Sequence, residues 1–509
     1  MPLGSFPMNA NCHEQDVESA RDSHRILSWF RPFCLIVSFL GVLVPLSFWA
    51  GWYDPNEISQ FQPSWNDPWL TFFVCLMIVL LLFLPVAWMT ITRFMDLIGL
   101  TLAHQALILI GFFFIETTAA SLGGAASQAV LEGLPWIVLI NLIGFFLLLI
   151  VMGCVYAWNR KQGYALQPLC APAEDQDRRL LSFLRMVSVF LCILIVLPMV
   201  ATGSIPMLTG GEGVDARYAM LSSAGARPFY HFGTALVPVV AAALGVSILR
   251  RLRHLPIHDL ILFLILTGLQ VVSGNRLPLA IAMFMGATLM TLQFRMPRWS
   301  IPSLYVVFLT TFMLLGGLSS LIRTDRDRLK EGDPFITSLG EVYLGNNVID
   351  LRDGAWVLGS WDFDPLLGKT YLGGLVAMAP SGLFPKKHDW HMGLTGVRIV
   401  GMDDQSHFGL RVTFFGEAFL NFGWTGVVGM ATIMGTLWGT LLRAAHLVAR
   451  GDRTCLTRNL SLVILMQMCN PLTNTSDAFT FWTLLIFLIA LWLAVERQAR
   501  KWSPREVPA

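Results

Sequence analysis

The chain has 509 residues, of which 55% are hydrophobic, 12% aromatic and only 13% charged, with a formal net charge of +2. A soluble chain of this length divides into domains that each need a polar surface and carries about 25% charged residues, so the composition excludes a soluble enzyme, a secreted disulfide scaffold and a disordered protein. A mean hydropathy of +0.62 and repeated apolar runs near the ~20 residues that cross a bilayer predict an all-α polytopic membrane protein, and the balanced charge offers nothing to nucleic acid.

Residues 1–30 are polar and read as a cytoplasmic segment. The first apolar run is too long and too far in for a cleaved signal peptide and reads as an ordinary first helix. Apolar runs then predict about twelve spans, at 31–51, 69–91, 96–115, 135–157, 181–202, 230–249, 257–273, 277–294, 301–322, 416–442, 459–477 and 478–495. Spans one to nine fill 31–322, a long polar segment occupies 323–415, the last three spans fill 416–495, and 496–509 is a tail.

Orientation follows from the basic residues, which collect in short cytoplasmic loops. With the N-terminus inside, the inner segments hold about 21 of them and the short outer loops about three, the inner set including Arg160, Lys161, Arg178, Arg179, Arg250, Arg251, Arg253, Arg443, Arg450, Arg453 and Arg458. Both termini then face the cytoplasm. The eight cysteines all fall in spans or on the inner side, so disulfides on the outer face are not expected despite its oxidising setting.

The segment 323–415 departs from this charge pattern, as long translocated segments are free to do. Its Gly and Pro punctuation at Gly332-Asp333-Pro334, Asp364-Pro365 and Pro380-Ser381-Gly382 predicts short helices and turns over the outer membrane face, and a loop of this length is seldom mere connection. Several arginines converge on the same face: Arg217 and Arg227 in the loop 202–229, Arg276 and Arg323 at span ends, and Arg326 and Arg328 just beyond. A guanidinium at a membrane boundary is costly and marks function by default, and its planar fork suits phosphate oxygens. The set predicts an anion-binding site, although pairing with Asp325 or Asp327 would equally account for any one member.

A second cluster precedes the tenth span: Asp403, Asp404 and His407, then Arg411, then Glu417 inside an apolar run. An imidazole or carboxyl here has the setting of a general base. Glu417 needs a partner to offset its burial, and Arg411 is the nearest in sequence; the plainer readings are a structural ion pair for Glu417 and an exposed loop position for His407. His388 and His391 read as solvated. Asp362-Phe363-Asp364 matches the metal-placing DxD of sugar-nucleotide-dependent glycosyltransferases, and Arg398 with Gly409 has an Arg-to-Gly spacing associated with polysaccharide polymerases. Both are near chance frequency in so acidic and glycine-rich a chain. No metal or cofactor is implied.

With these features placed, residues from about 200 to 495 resemble the Wzy-type oligosaccharide repeat-unit polymerases, the O-antigen and exopolysaccharide polymerases. The resemblance rests on Ser273-Gly274-Asn275-Arg276 at a span end, on Ser319-Ser320-Leu321-Ile322-Arg323-Thr324 leading into the long loop, and on FGEAFLNFGWTGVVGMATIMG from Phe415 to Gly435. It implies a GT-C-like inner-membrane glycosyltransferase whose active face is periplasmic. Its substrate would be an undecaprenyl-diphosphate-linked oligosaccharide, and a flippase and a chain-length regulator would be its partners beside membrane lipids. Arg217, Arg276, Arg323, Arg326, Arg398 and Arg411 would bind diphosphate and glycan; His407, with Glu417 and Asp404 behind it, would serve as the base. Related O-antigen ligases carry a His-Asn pair ahead of a Gly-x-x-Gly re-entry; here the pair is His407-Phe408, farther from Gly423 and Gly426. That departure favours a polymerase over a ligase joining glycan to lipid A. A flippase or other transporter is the remaining class, disfavoured because no internal repeat is visible and the arginines gather at outer span ends.

Overall fold

A computed structural model describes residues 68–115, 119, 122–162, 174–203, 226–251, 256–272, 276–294, 296–297, 300–307, 310–311, 347–377, 379, 382–387, 389–402, 410–450, 455–469, 486 and 490. The predicted first span lies outside them, as does nearly all of the last. The described residues are helical: α1 (Pro68–Thr92), α2 (Leu97–Ile110) with a 3-10 turn (Gly111–Phe114), α3 (Gly124–Gln162), α4 (Glu174–Thr202), α5 (Ala226–Arg250), α6 (Ile257–Val272), α7 (Arg276–Gln293), α8 (Asn347–Ser360), α9 (Lys369–Val376), α10 (Met392–Ile399), α11 (Phe414–Arg450) and α12 (Leu456–Met468). Among them no strand occurs, and five helices, α1, α3, α4, α5 and α11, are long and apolar enough to cross a membrane. Phe83, Ile91, Phe146, Leu197, Val200 and Leu264 lie exposed along these helices and α6. A soluble protein does not leave such a surface bare, and the chain is an all-α, multi-pass membrane protein.

Helix limits differ from the apolar runs where hydropathy is blind to propensity. The helix α3 begins eleven residues before the predicted span, because Ala125, Ala126, Gln128, Ala129 and Leu131 are good helix formers without being a membrane run. For the same reason α4 starts at Glu174, ahead of position 181, and α11 runs on to Arg450 past position 442.

The polar groups that survive burial sort the helix ends. Asp177, near the start of α4, accepts from the backbone N–H groups of Leu456 and Thr457 at 3.0 Å each and from the Thr457 hydroxyl at 2.8 Å, and it pairs with Arg250 at 3.5 Å. A carboxylate set against the first turn of α12 meets two amides that have no partner inside that helix, at its positive dipole end. Arg185 of α4 holds the fully buried Asp259 of α6 with two bonds of 2.5 and 3.0 Å. Tyr156 and Asn159, late in α3, reach His446 and Thr440, late in α11, and Trp88, late in α1, packs on Tyr156 with ring centres 4.6 Å apart. The ends of α1, α3, α5 and α11 and the beginnings of α4 and α12 therefore share one end of the bundle. These are the ends where the sequence carries Arg160, Arg178, Arg179, Arg250, Arg251, Arg443 and Arg458.

The described part of the segment 347–413 sits at the other end and forms short helices, α8, α9 and α10, as the sequence predicts. The helix α8 packs against α3, α2 and the 3-10 turn, with Leu351, Ala355 and Val357 fully buried. Glycine permits this approach: a Cβ on Gly133 would collide with the Ala355 carbonyl oxygen, and one on Gly359 with the Ala129 carbonyl oxygen. Backbone contact between small residues is the usual seam of helices in lipid.

Candidate functional site at the start of α11

The chain returns from the long segment through Leu410-Arg411-Val412-Thr413 into α11. The Thr413 hydroxyl accepts from Asn141 Nδ2 of α3 at 2.9 Å and from the Gly416 amide at 3.4 Å, which fixes where the helix begins. Gly354, Gly416 and Ile137 meet beneath it. Glu417 follows in the first turn of α11, fully buried, where the free amides and the helix dipole favour a carboxylate.

The predicted single span 416–442 is broken. Gly423 has φ 61 and ψ −149, a conformation open essentially to glycine alone, and a Cβ on Gly426 would strike the carbonyl oxygen of Ala418. The chain folds sharply back on a short first piece, 414–422, before the long piece begins. Gly423 and Gly426 thus have separate physical roles, one in backbone angle and one in close approach.

A broken helix leaves carbonyl oxygens without intrahelical donors. Here the loop between α8 and α9 supplies them: the Leu366 amide donates to Leu420 O and the Leu367 amide to Asn421 O, both at 3.0 Å. Asn421 is wholly buried. Its Oδ1 accepts from the Gly368 amide at 2.9 Å, and its Nδ2 donates to the Thr370 hydroxyl at 2.7 Å and to Glu417 O at 2.9 Å. Leu367 takes φ 50 and Gly368 φ 82 to deliver these amides. Aromatic rings close the outer side of this knot: Trp136 of α3, Trp361 and Phe363 of the loop, and Phe419 and Trp424 of α11.

Of the predicted site residues, Glu417 and Arg411 come to this region. Arg411 pairs through Nη1 with Oδ1 of Asp350 in α8 at 3.4 Å, the arginine half-exposed and the acid buried. One turn on, Asp353 is also buried and pairs with Arg352 at 2.9 Å. Arg398 closes α10 and pairs with Asp389 at 2.9 Å, both exposed. His391 is exposed, as the sequence predicts, and caps the start of α10, its Nδ1 accepting from the Gly393 amide at 3.2 Å. Arg217, Arg323, Arg326, Asp404 and His407 lie outside the described residues, as do Arg328, His388, Asp403 and Gly409; Arg227 lies in the first turn of α5 rather than in a loop and Arg276 begins α7, the side chains of both outside them. Among the described residues no group of three or more His, Cys, Asp or Glu side chains could hold a metal.

Sequence reasoning missed Asn421, Thr370, Asp350 and the aromatic group. Asn421 left a signal, as an amide inside the apolar run Phe419-Leu420-Asn421-Phe422, and Phe363, Phe419 and Trp424 lie in the stretches Asp362-Phe363-Asp364 and Phe415–Gly435; Thr370, Asp350 and Trp136 become neighbours only through the fold. Compared with protein-family models, with curated proteins and with solved structures, the chain matches none.

Proposed function

We propose that the chain is an inner-membrane polysaccharide polymerase that moves a growing glycan from undecaprenyl diphosphate to the non-reducing end of the next carrier-linked repeat unit. The observation that carries this reading is the site at the start of α11. The described part of the long charged segment packs on α3 and α11 at the end of the bundle away from the basic loops, bringing a buried carboxyl, a buried amide and half-exposed aromatic rings together. By the charge rule that end is periplasmic and both termini are cytoplasmic. The chemistry needs little else. An acceptor hydroxyl gives its proton to a base, its oxygen bonds to the anomeric carbon, and the bond from that carbon to the carrier's phosphate breaks, so negative charge grows on the leaving diphosphate. Arginines can neutralise that charge without a metal, and the sequence nominates Arg217, Arg276, Arg323 and Arg326, with Arg411 and Arg398 farther along. His407 is the first choice of base, with Glu417 and Asp404 behind it.

The test is genetic and direct. Deletion of the gene leaves surface glycan one repeat unit long, and Arg276→Ala or Arg323→Ala reproduces that state with normal membrane insertion. Wild-type chain lengths in the deletion overturn the polymerase; wild-type lengths in both variants overturn the role of the arginines. Long chains made on the carrier but left unattached would mark a ligase instead.

A further inference from the structure

The rings beside the α11 break form one connected group. Trp136 stands 6.0 Å from Phe363 and 6.3 Å from Phe419, Trp361 stands 5.1 Å from Phe363 and 5.9 Å from Phe419, and Phe419 stands 5.2 Å from Trp424. Phe419 and Trp361 are buried and make a floor, whereas Trp136, Phe363 and Trp424 are 40%, 54% and 37% exposed and make a rim. The most exposed ring is held rather than loose. Phe363 has φ 66, a left-handed conformation rare for a bulky side chain and one that persists only where its surroundings impose it. The Trp361 indole N–H donates to the Asp364 carbonyl oxygen at 3.0 Å, and the Asp364 amide donates to Asp362 Oδ1 at 3.1 Å. The amides of Leu366 and Leu367 pin the same loop to α11.

Aromatic rings at a helix end commonly sit among lipid headgroups. The chemistry around Phe363 fits that role poorly, since Asp362 and Asp364 are both exposed on either side of it in the chain, and acidic side chains repel the phosphates of anionic lipid. A sugar ring has the complementary pair of surfaces: a face of C–H groups for an aromatic ring and a rim of hydroxyl donors for carboxyl oxygens. We propose that Trp136, Phe363 and Trp424 form a sugar-stacking subsite, with Asp362 and Asp364 accepting hydrogen bonds from the hydroxyls of the stacked residue. The motif Asp362-Phe363-Asp364 then works through its central ring and two acceptors. The inference rests on the polymerase reading for the identity of the glycan, though not for the existence of the subsite.

The test places 4-fluorophenylalanine at position 363 of the full-length protein in lipid nanodiscs, and follows its fluorine resonance. The probe ligand is the mixture of oligosaccharides released by mild acid from the cell's own lipid diphosphates. The expected result is a saturable shift on adding that mixture, with broadening by a soluble gadolinium chelate and none by spin-labelled lipid. Trp136→Leu, which keeps the apolar bulk and loses the ring face, raises the half-saturating concentration about three- to ten-fold, the range expected for loss of one aromatic contact. No shift together with broadening by spin-labelled lipid overturns the subsite and makes Phe363 a lipid anchor. A shift that Trp136→Leu leaves unchanged overturns it as well. The two proposals fail separately: a failed subsite leaves Arg276→Ala arrested at one repeat unit, whereas a failed polymerase leaves wild-type chain lengths beside an intact fluorine response.

Discussion

Replacing Gly133 by alanine tests the seam on which the whole site is mounted. The added Cβ collides with the Ala355 carbonyl oxygen and stands 2.6 Å from Gly359 N, against the 3.4 Å of ordinary contact, and its obstacles are backbone atoms that cannot swing aside. The two helices must part by about 1 Å, and a gap of that size forfeits a quarter to a half of each dispersion contact it opens. A buried aliphatic side chain at the seam such as Ile137, fully enclosed and making about 50 contacts of about 0.15 kcal/mol, loses roughly 2 kcal/mol at the lower fraction. Relaxation recovers part of this, and the higher helix propensity of alanine returns up to about 1 kcal/mol, while further side chains on the seam add to the loss. The net cost is about 1–3 kcal/mol, the usual range for overpacking. Gly359→Ala meets the Ala129 carbonyl oxygen at the same crossing, so once either variant has separated the helices the other adds less, and the double variant costs less than the two singles together. Gly153 of α3 has nothing within 4 Å of its Cβ position, and Gly153→Ala is the matched control with no loss. Equilibrium unfolding by detergent titration in mixed micelles, followed by tryptophan emission, gives all four values. Gly133→Ala behaving like Gly153→Ala, or strict additivity in the double variant, would refute the close crossing.

Three further outcomes follow from single positions. Asn421→Ala strips partners from the Gly368 amide and the Thr370 hydroxyl in a buried setting, costs about 2–3 kcal/mol, and raises hydrogen exchange in residues 361–370; unchanged exchange there would show that Asn421 does not hold the loop. Gly423→Ala forces a methyl group into a backbone region nearly closed to it, costs about 1–3 kcal/mol in the same detergent titration, and fails as a prediction if stability is unaffected. Arg185→Ala leaves the carboxyl of Asp259 buried without its bidentate partner and costs about 3 kcal/mol, the low end of the range because Arg185 is 40% exposed. Asp259→Leu combined with Arg185→Met recovers most of that loss, and a double variant as unstable as Arg185→Ala would show that the pair, rather than the orphaned acid, carries the stability.

The five long apolar helices were legible because one property decides them: a run of apolar residues about 20 long has no stable place in water and is satisfied as a helix in lipid. Hydropathy has no such hold on a segment like 347–360. Asp350, Arg352 and Asp353 make it read as a solvated loop, yet their pairs with Arg411 and with one another let the same residues pack against α3. The break in α11 was hidden for the opposite reason, since glycine is tolerated inside membrane helices and Gly423 and Gly426 looked like two more small residues in an apolar run. These two features have one physical cause. Leu420 and Asn421 are fully buried, so a break just after them leaves their carbonyl oxygens in need of donors, and the break at Gly423 is stable where another part of the chain brings amides to them. The loop that follows α8 brings them, through Leu366, Leu367 and Gly368, and it can do so only because α8 is seated deeply enough against α3 to hold it there. The packing of α8 against α3 therefore supports the break in α11, and the aromatic rim is the surface of their junction.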